Sequence, residues 1–314
     1  MLRMNASAKT PVTILAGFVN WNQKEDSLEC LKKLSESCES GIQLHLAVVD
    51  NASTDGTPES IRQNFPEVKL IANSSNRGAA GGRNDLFQYF LNTRARYLMI
   101  LDPDVSIIPP FFIPLVEEIE ISSGRGCVGV KAYYADQPDT FWARGGGKYN
   151  PWLGCFYKTG QKEKDTGQYR EPEEIDSIPA GFTFVKREVI EKVPRMDERY
   201  FIYFEESDWN FKIKKKGYTL WTSAQAKVLH KVSSSLGMES PYFYYYRTRN
   251  NLLFVFRNSP FYCWPVFLVY FFAWNVPNTL YMLWRNDKSA QLKAVLRGLF
   301  DFLRGRFYQC PYRF

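Results

Sequence analysis

The chain has 314 residues, of which 45% are hydrophobic and 16% aromatic, a composition that excludes a disordered polypeptide and suffices for one large α/β core with an appendage. Its net charge is +7, and from Arg285 to Phe314 seven basic residues face two acids, so the cationic excess gathers at the C-terminus. Such a tail suits an anionic membrane face or a nucleic acid, and the residues between the charges decide which.

The polar stretch Met1–Pro11 lacks the apolar core of a secretory signal, so secretion is not expected. Six scattered cysteines without zinc or Cys-x-x-Cys spacing read as reduced thiols of a cytoplasmic protein. Val12–Val19 is a nearly continuous apolar run, predicting a buried strand that ends at Asn20-Trp21-Asn22. Leu28, Leu31 and Leu34 then follow at helical spacing. Leu44–Val49 is a second strand, ending on Asp50-Asn51, and Thr57–Phe65 opens with Thr-Pro as a helix does. Val68–Ala72 is a third strand. The turn-rich stretch Asn73–Asn84 contains the small-residue loop Asn76-Arg77-Gly78-Ala79-Ala80-Gly81-Gly82-Arg83, read as lying ahead of a helix carrying Leu86, Phe87, Phe90 and Leu91. Tyr97–Leu101 is a fourth strand, ending on Asp102.

Buried strands alternating with helical crossovers predict a mostly parallel, Rossmann-like sheet covered by helices on both faces. Right-handed crossovers bring the strand C-terminal ends to one rim, where ligands bind in open α/β sheets. Asn20, Asp50 and Asp102 each stand at such an end.

Asp102-Pro103-Asp104 places two carboxylates one residue apart after a buried strand. Both can reach one divalent cation, and hard oxygen ligands suit Mg2+ or Mn2+. The competing reading makes Asp104 the cap of a helix over Ile107–Glu118. Ser123–Arg187 is irregular, with short strands at Cys127–Tyr133 and Phe182–Lys186. Phe204-Glu205-Glu206-Ser207-Asp208 gathers three carboxylates ahead of a helix ending in lysines. Those charges complement a helix dipole, and one of the acids can also take a proton from an attacking hydroxyl. Tyr218–Thr222 and Ala226–His230 read as two final strands, with His230 a candidate third metal ligand.

Phe261–Trp284 carries no charged residue and is long enough to cross a bilayer, but Pro265, Asn275, Pro277 and Asn278 interrupt it. A membrane-lying or re-entrant pair of short helices is therefore expected. Beyond it, Leu292, Val295, Leu296, Leu299, Leu303 and Phe307 interleave with Lys293, Arg297, Arg304 and Arg306 as in a basic amphipathic helix. The expectation is a protein peripheral on the inner face of the cell membrane, binding no nucleic acid, with packing on its own domain or on a second copy as the alternative.

Val48-Val49-Asp50-Asn51-Ala52-Ser53-Thr54-Asp55-Gly56, Asn76-Arg77-Gly78 with Gly81-Gly82, Asp102-Pro103-Asp104, Ala180-Gly181, Asp197-Glu198-Arg199-Tyr200-Phe201, Phe204-Glu205-Glu206-Ser207-Asp208 and His230 occur in an order that resembles the family 2 glycosyltransferases. The likeness is closest to the branch of rhamnosyl- and galactofuranosyltransferases, and Arg247-Thr248-Arg249-Asn250-Asn251 continues it weakly. The resemblance implies the inverting GT-A fold, with a catalytic domain over residues 1–235 and a helical, membrane-associating appendage over 236–314. The nucleotide-binding half would span about 10–105 and the acceptor-side half about 106–235. It implies that Asp50 contacts the nucleoside of a dTDP- or UDP-sugar, and that Asp102, Asp104 and His230 hold the cation. Asn20, Asn51, Arg77, Gly78, Pro103 and Glu205 would complete the donor site. Glu206 falls where the family usually has an aspartate base, so Asp208 is a second candidate. Arg83 replaces the family's asparagine and would pair with donor phosphate. The acceptor would be a hydroxyl of a glycan or lipid-linked sugar. Rhamnose from dTDP-rhamnose is the first expectation and galactofuranose from UDP the second. A sugar-nucleotide-forming enzyme would need a basic, glycine-rich loop after the first strand, which Asn20-Trp21-Asn22 does not provide. A non-catalytic membrane- or nucleic-acid-binding protein would leave the ordered acids unexplained.

Overall fold

The computed structural model describes residues 11–232 and 239–314; the N-terminal stretch before Pro11 and the expected domain boundary near 235 lie outside the described residues. The alternating runs become β1 (Val12–Asn20), α1 (Lys24–Ser35), β2 (Ile42–Asp50), α2 (Thr57–Asn64), β3 (Lys69–Ala72), α3 (Gly78–Leu91) and β4 (Tyr97–Leu101). Next come β5 (Val105–Ile108), α4 (Phe112–Ile119), β6 (Arg125–Tyr134), β7 (Gln137–Arg144), β8 (Gly147–Asn150), β9 (Cys155–Lys158), β10 (Glu174–Ile175), β11 (Phe182–Lys186) and α5 (Arg187–Lys192). The chain finishes through α6 (Glu205–Lys215), β12 (Thr219–His230), α7 (Pro241–Asn258), α8 (Trp264–Tyr270), α9 (Val276–Arg285) and α10 (Ser289–Leu303).

The main sheet runs β10-β12-β6-β11-β4-β1-β2-β3, with β5 on β12 and β7 on β6. β4, β1, β2 and β3 are mutually parallel, β6 and β12 pair in parallel, and antiparallel β11 joins the two groups. The mostly parallel central sheet is as expected. Alternation along each strand feeds two cores. Ile14, Ala16 and Phe18 pack with Leu31, Leu34, Ile61 and Leu115 from α1, α2 and α4. Leu15, Val49 and Ile100 pack with Leu86, Phe87, Phe90, Val189, Trp209 and Ile213 from α3, α5 and α6.

Four local expectations change. The small-residue loop at 76–84 is mostly helix: α3 begins at Gly78, so Arg83 and Asn84 sit inside it and are buried. Asp104 does not cap a helix, because β5 follows it and α4 starts only at Phe112. The backbone N–H groups of Phe111, Phe112 and Ile113 instead donate to the Glu39 carboxylate, brought from the far end of α1's connection. The two final strands are one, β12, bent by a register shift between Thr222 and Lys227.

The fourth change concerns the apolar stretch. Phe261–Arg285 is one 25-residue helix rather than two short ones. A π turn at Phe271–Asn275 absorbs Pro277, which cannot donate to the preceding turn, and the Thr279 hydroxyl donates to the Asn275 carbonyl at 2.8 Å. Phe267, Phe271, Val276 and Leu283 are buried against α7 and α10, while Val269, Phe272, Trp274, Tyr281 and Trp284 are exposed. Within α10, Val295 is buried and Leu292 and Leu299 are half-buried in the same cluster. That packing consumes much of the stripe read as membrane-facing and leaves Leu296, Phe300 and Leu303 exposed.

Candidate active site

A cavity of about 590 Å³ opens at the C-terminal rim of β1 and β4. Asp102, Pro103 and Asp104 form part of its wall, with Asn51, Asn76, Gly78, Arg83, Glu205, Glu206 and His230. Residues as far apart in the chain as Asn51 and His230 thus meet at this rim.

Asn20 and Asp50 lie beneath this wall rather than on it. The Asn20 amide donates to the Asp50 carboxylate at 2.8 Å, and the Ser53 N–H donates to the other oxygen at 2.9 Å. Both residues are fully enclosed, so they fix the β1 and β2 turns from below. Asn51, the next residue after Asp50, does reach the cavity; its amide donates to the Gly78 carbonyl at 2.9 Å. Arg77 points elsewhere, pairing with Asp85 and with Glu198 at 3.0 Å.

Gly78 carries φ +70°, and a Cβ there would stand 2.4 Å from the Phe201 carbonyl oxygen. Both facts demand glycine, and they couple α3 to the loop before α6. Gly78→Ala is expected to lower folding stability by about 1–3 kcal/mol, read as a lower thermal midpoint; an unchanged midpoint would show that this contact gives way freely.

Arg83 is turned inward on α3 and holds two acids at once. Its guanidinium donates to Glu205 at 2.5 Å and to Asp102 at 3.1 Å. Carboxylates thus meet the enclosed guanidinium, since an enclosed cation needs a counter-charge. Burial, helped by the Glu206 charge, pushes the Glu205 carboxyl up, and Arg83 opposes that shift. Burial likewise raises the Glu206 carboxyl, against the pull of Arg83. Asp102 is raised by burial and by its neighbour Asp104, again opposed by Arg83.

Asp104 and His230 face each other, with Nε2 3.3 Å from the carboxylate, because β5 and β12 pair with His230 opposite Val105. Trp142 and Phe182 pack edge-on against the imidazole, and its Nδ1 is buried without a hydrogen-bond partner. Gly181 leaves room for Asp102: a Cβ there would lie 2.2 Å from a carboxylate oxygen. Among the described residues no three histidine, cysteine or carboxylate side chains converge as a finished metal site. The donor chemistry of Asp102, Asp104 and His230 nonetheless fits a hard divalent cation, provided Asp102 exchanges Arg83 for it.

Asp208 sits outside the cavity. It is fully enclosed, paired with Lys212 at 2.9 Å and accepting from the Asn258 amide at 2.9 Å. Glu206, two residues earlier, lines the cavity. Residues two apart on a helix project about 200° from each other, so only one of them can face the substrate.

Several wall residues escaped sequence reasoning. Trp21 follows β1, Trp142 and Lys158 come from β7 and β9, and Tyr242, Phe243, Tyr246, Gln309 and Cys310 come from the region expected to be an appendage. The one usable signal was Trp21 directly after a strand end. Arg249 and Asn250, weakly matched in sequence, fasten the loop before α6. Asn250 donates to the carbonyls of Tyr200, Ile202 and Tyr203 at 2.8–2.9 Å, and Arg249 donates to those of Arg199 and Tyr200 at 3.1 Å.

The profile of Glycosyl transferase family 2 matches residues 19–193, more than half of the chain. The chain belongs to glycosyl transferase family 2. Its curated relatives are similar to it at low identity. An N-acetylglucosaminyl-diphospho-decaprenol L-rhamnosyltransferase of Mycobacterium tuberculosis is 26% identical over 227 residues, 67% of this chain and 73% of that protein. A dTDP-rhamnosyl transferase of Shigella flexneri is 24% identical over 302 residues, 93% of this chain and 96% of that one. Among solved structures, the mannosyltransferase of Pyrobaculum calidifontis with GDP-mannose and Mn2+ superposes with a TM-score of 0.55 at 14% identity, covering 93% of this chain and 87% of that one. GalNAc-T7 with UDP, GalNAc and Mn2+ gives 0.56 at 16% identity over 71% of this chain, which spans 44% of that polypeptide. The fold is GT-A, and the family 2 chain is a glycosyltransferase.

Proposed function

We propose that this enzyme transfers a sugar, rhamnose from dTDP-rhamnose in the first instance, to a hydroxyl of a glycan or lipid-linked acceptor with inversion at the anomeric carbon. The observation that carries the reading is the meeting of Asp102, Asp104, His230 and Glu206 on one wall at the strand C-terminal rim. The names of the curated relatives support rhamnose, and UDP-galactofuranose remains the second donor of the proposal.

Asp102, Asp104 and His230 would hold Mg2+ or Mn2+, which neutralises charge on a leaving diphosphate when bound. Asn51, Gly78 and Trp21 would seat the nucleoside end. Arg83, released from Asp102, keeps Glu205 compensated. Glu206 accepts the proton of the acceptor hydroxyl as the new C–O bond forms and the bond to the diphosphate oxygen breaks. Burial raises its carboxyl, which strengthens it as a proton acceptor.

Membrane contact belongs to the same reading. The helix 261–285 presents Phe261, Val269, Phe272, Trp274 and Trp284 to the outside while its other face packs on the domain, and Lys293, Arg297, Arg304 and Arg306 are exposed beside it. One buried face and one exposed aromatic face fit a helix lying at an interface rather than crossing it. Purified protein incubated with Mn2+ and a panel of dTDP-, UDP- and GDP-sugars should release nucleoside diphosphate from dTDP-rhamnose. Sedimentation with anionic, but not neutral, vesicles tests the membrane face, and a dimer without vesicle binding would assign it to a second copy.

A further inference from the structure

Asp301 of α10 is fully enclosed, although it lies in the region expected to be an appendage. Its two carboxylate oxygens serve two different elements. Oδ2 accepts from the Tyr245 hydroxyl of α7 at 2.7 Å, and Oδ1 accepts from the Tyr312 hydroxyl of the C-terminal segment at 2.9 Å. The first arm runs to the loop before α6. Tyr245, whose proton points to Asp301, accepts from the Arg249 guanidinium at 3.3 Å. Among the described residues Arg249 makes no direct ion pair, so Asp301 answers its enclosed charge through this hydroxyl. Arg249 Nε in turn donates to the Asn250 side-chain carbonyl at 2.9 Å, which turns the amide N–H groups toward the carbonyls of Tyr200, Ile202 and Tyr203. Glu205 and Glu206 begin α6 directly after that loop.

The second arm holds the C-terminal segment. Besides the contact with Tyr312, the Asp301 backbone carbonyl accepts from the Arg306 N–H at 2.8 Å, and the Tyr308 carbonyl accepts from Arg249 at 2.9 Å. The Cys310 N–H donates to the Tyr246 hydroxyl at 2.6 Å, and the Tyr246 ring stacks on Phe201 with centroids 5.4 Å apart. Gln309 and Cys310 thereby stand on the wall of the same cavity as Glu206. Phe201 also closes on Gly78, so this wall adjoins the end where the nucleoside would be seated. Tyr245, Arg249, Asn250, Asp301 and Tyr312 all lie beyond residue 193, where the family profile ends. One enclosed carboxylate thus braces two walls of the cavity from behind.

We propose that Asp301 is a positioning residue for sugar transfer: through Tyr245, Arg249 and Asn250 it sets the place of Glu206, and through Tyr312 it holds Gln309 and Cys310 against the donor. This rests on the transferase reading and extends its site into α10 and the C-terminal segment.

The test compares the full chain with Asp301→Asn, Tyr245→Phe and Tyr312→Phe by steady-state transfer kinetics and by amide hydrogen exchange, well below the melting transition. Tyr245→Phe cuts the first arm alone. It should lower kcat about ten- to a hundredfold, the scale of a misplacement of about 1 Å, with little change in the donor KM. Tyr312→Phe cuts the second arm alone and should raise the donor KM several-fold while acting less on kcat. Asp301→Asn should do both, and exchange should quicken in residues 199–204 and 305–312 rather than across β1–β4. Combined with Glu206→Gln, Asp301→Asn should add little to the loss of kcat, because both act on one proton transfer; a purely structural part would add in full. Full additivity, or a lower thermal midpoint with native kcat and KM in the folded enzyme, would overturn the proposal. So would exchange as slow in both segments of Asp301→Asn as in the native chain. A native protein that turns over no nucleotide sugar would instead overturn the transferase reading, and the positioning role with it, while the exchange pattern would still show whether Asp301 braces the two walls.

Discussion

Glu206→Gln is expected to lower kcat for sugar transfer by about 10²- to 10⁴-fold, the usual span of a general base, while the donor KM changes little. The amide keeps the size of the side chain and its place on the cavity wall, but it cannot take a proton. Glu206→Asp should recover part of the rate, because the shorter carboxylate keeps the chemistry and loses reach. Asp208→Asn should behave differently. Its enclosed carboxylate pairs with Lys212 and accepts from Asn258, so the change should lower the thermal midpoint more than the rate of the remaining folded enzyme. Full activity in Glu206→Gln, or a catalytic defect confined to Asp208→Asn, would remove Glu206 from the base role. The pH profile gives a second reading. A base works ionised, and burial has moved the Glu206 carboxyl upward. The acid limb of kcat/KM should therefore lie above the ordinary glutamate range and disappear in Glu206→Gln.

The second large effect is structural. Asn250→Asp should lower stability by about 2–5 kcal/mol, because one enclosed amide serving three carbonyls becomes an acceptor facing acceptors. Those carbonyls belong to Tyr200, Ile202 and Tyr203, in a loop where Phe201, Tyr203 and Phe204 all hold positive φ. Such a backbone persists only where its surroundings over-determine it. Loosening it should also move Glu205 and Glu206, which begin α6 one residue later, so transfer should fall even below the melting transition. Denaturant midpoints and initial rates at low temperature check both parts. A variant as stable as the native chain would show that the loop holds itself.

Much of the parallel part of the sheet was legible in sequence. Continuous apolar runs must be buried on both faces, so Val12–Val19, Leu44–Val49 and Tyr97–Leu101 could only be parallel strands between helices. Residues directly after them then had to share a rim. Asp102-Pro103-Asp104 followed from that, and so did the place of His230 at a strand end. The helix start at Gly78 was hidden, because glycine and alanine in Asn76–Gly82 read locally as a turn, whereas packing on β1 and Phe201 makes them helix. The continuous helix 261–285 was hidden for a related reason. Prolines mark an interruption locally, and a π turn removes the conflict without ending the helix.

Sequence by itself therefore determined the alternating α/β core, the carboxylates on its rim and the family to which they belong, since these depend on periodicity and on short segments ending at known places. Tertiary structure alone decided which acids face the cavity. Glu206 rather than Asp208 lines it because the helix begins at Glu205 and turns about 100° per residue. Arg83 holds Glu205, 122 positions away, because α3 and α6 pack on the same face of the sheet. The part read as an appendage closes the cavity because Arg249 and Asn250 fasten α7 to the loop before α6. Charge pairing across such separations has no local signature, since it depends on where whole elements dock.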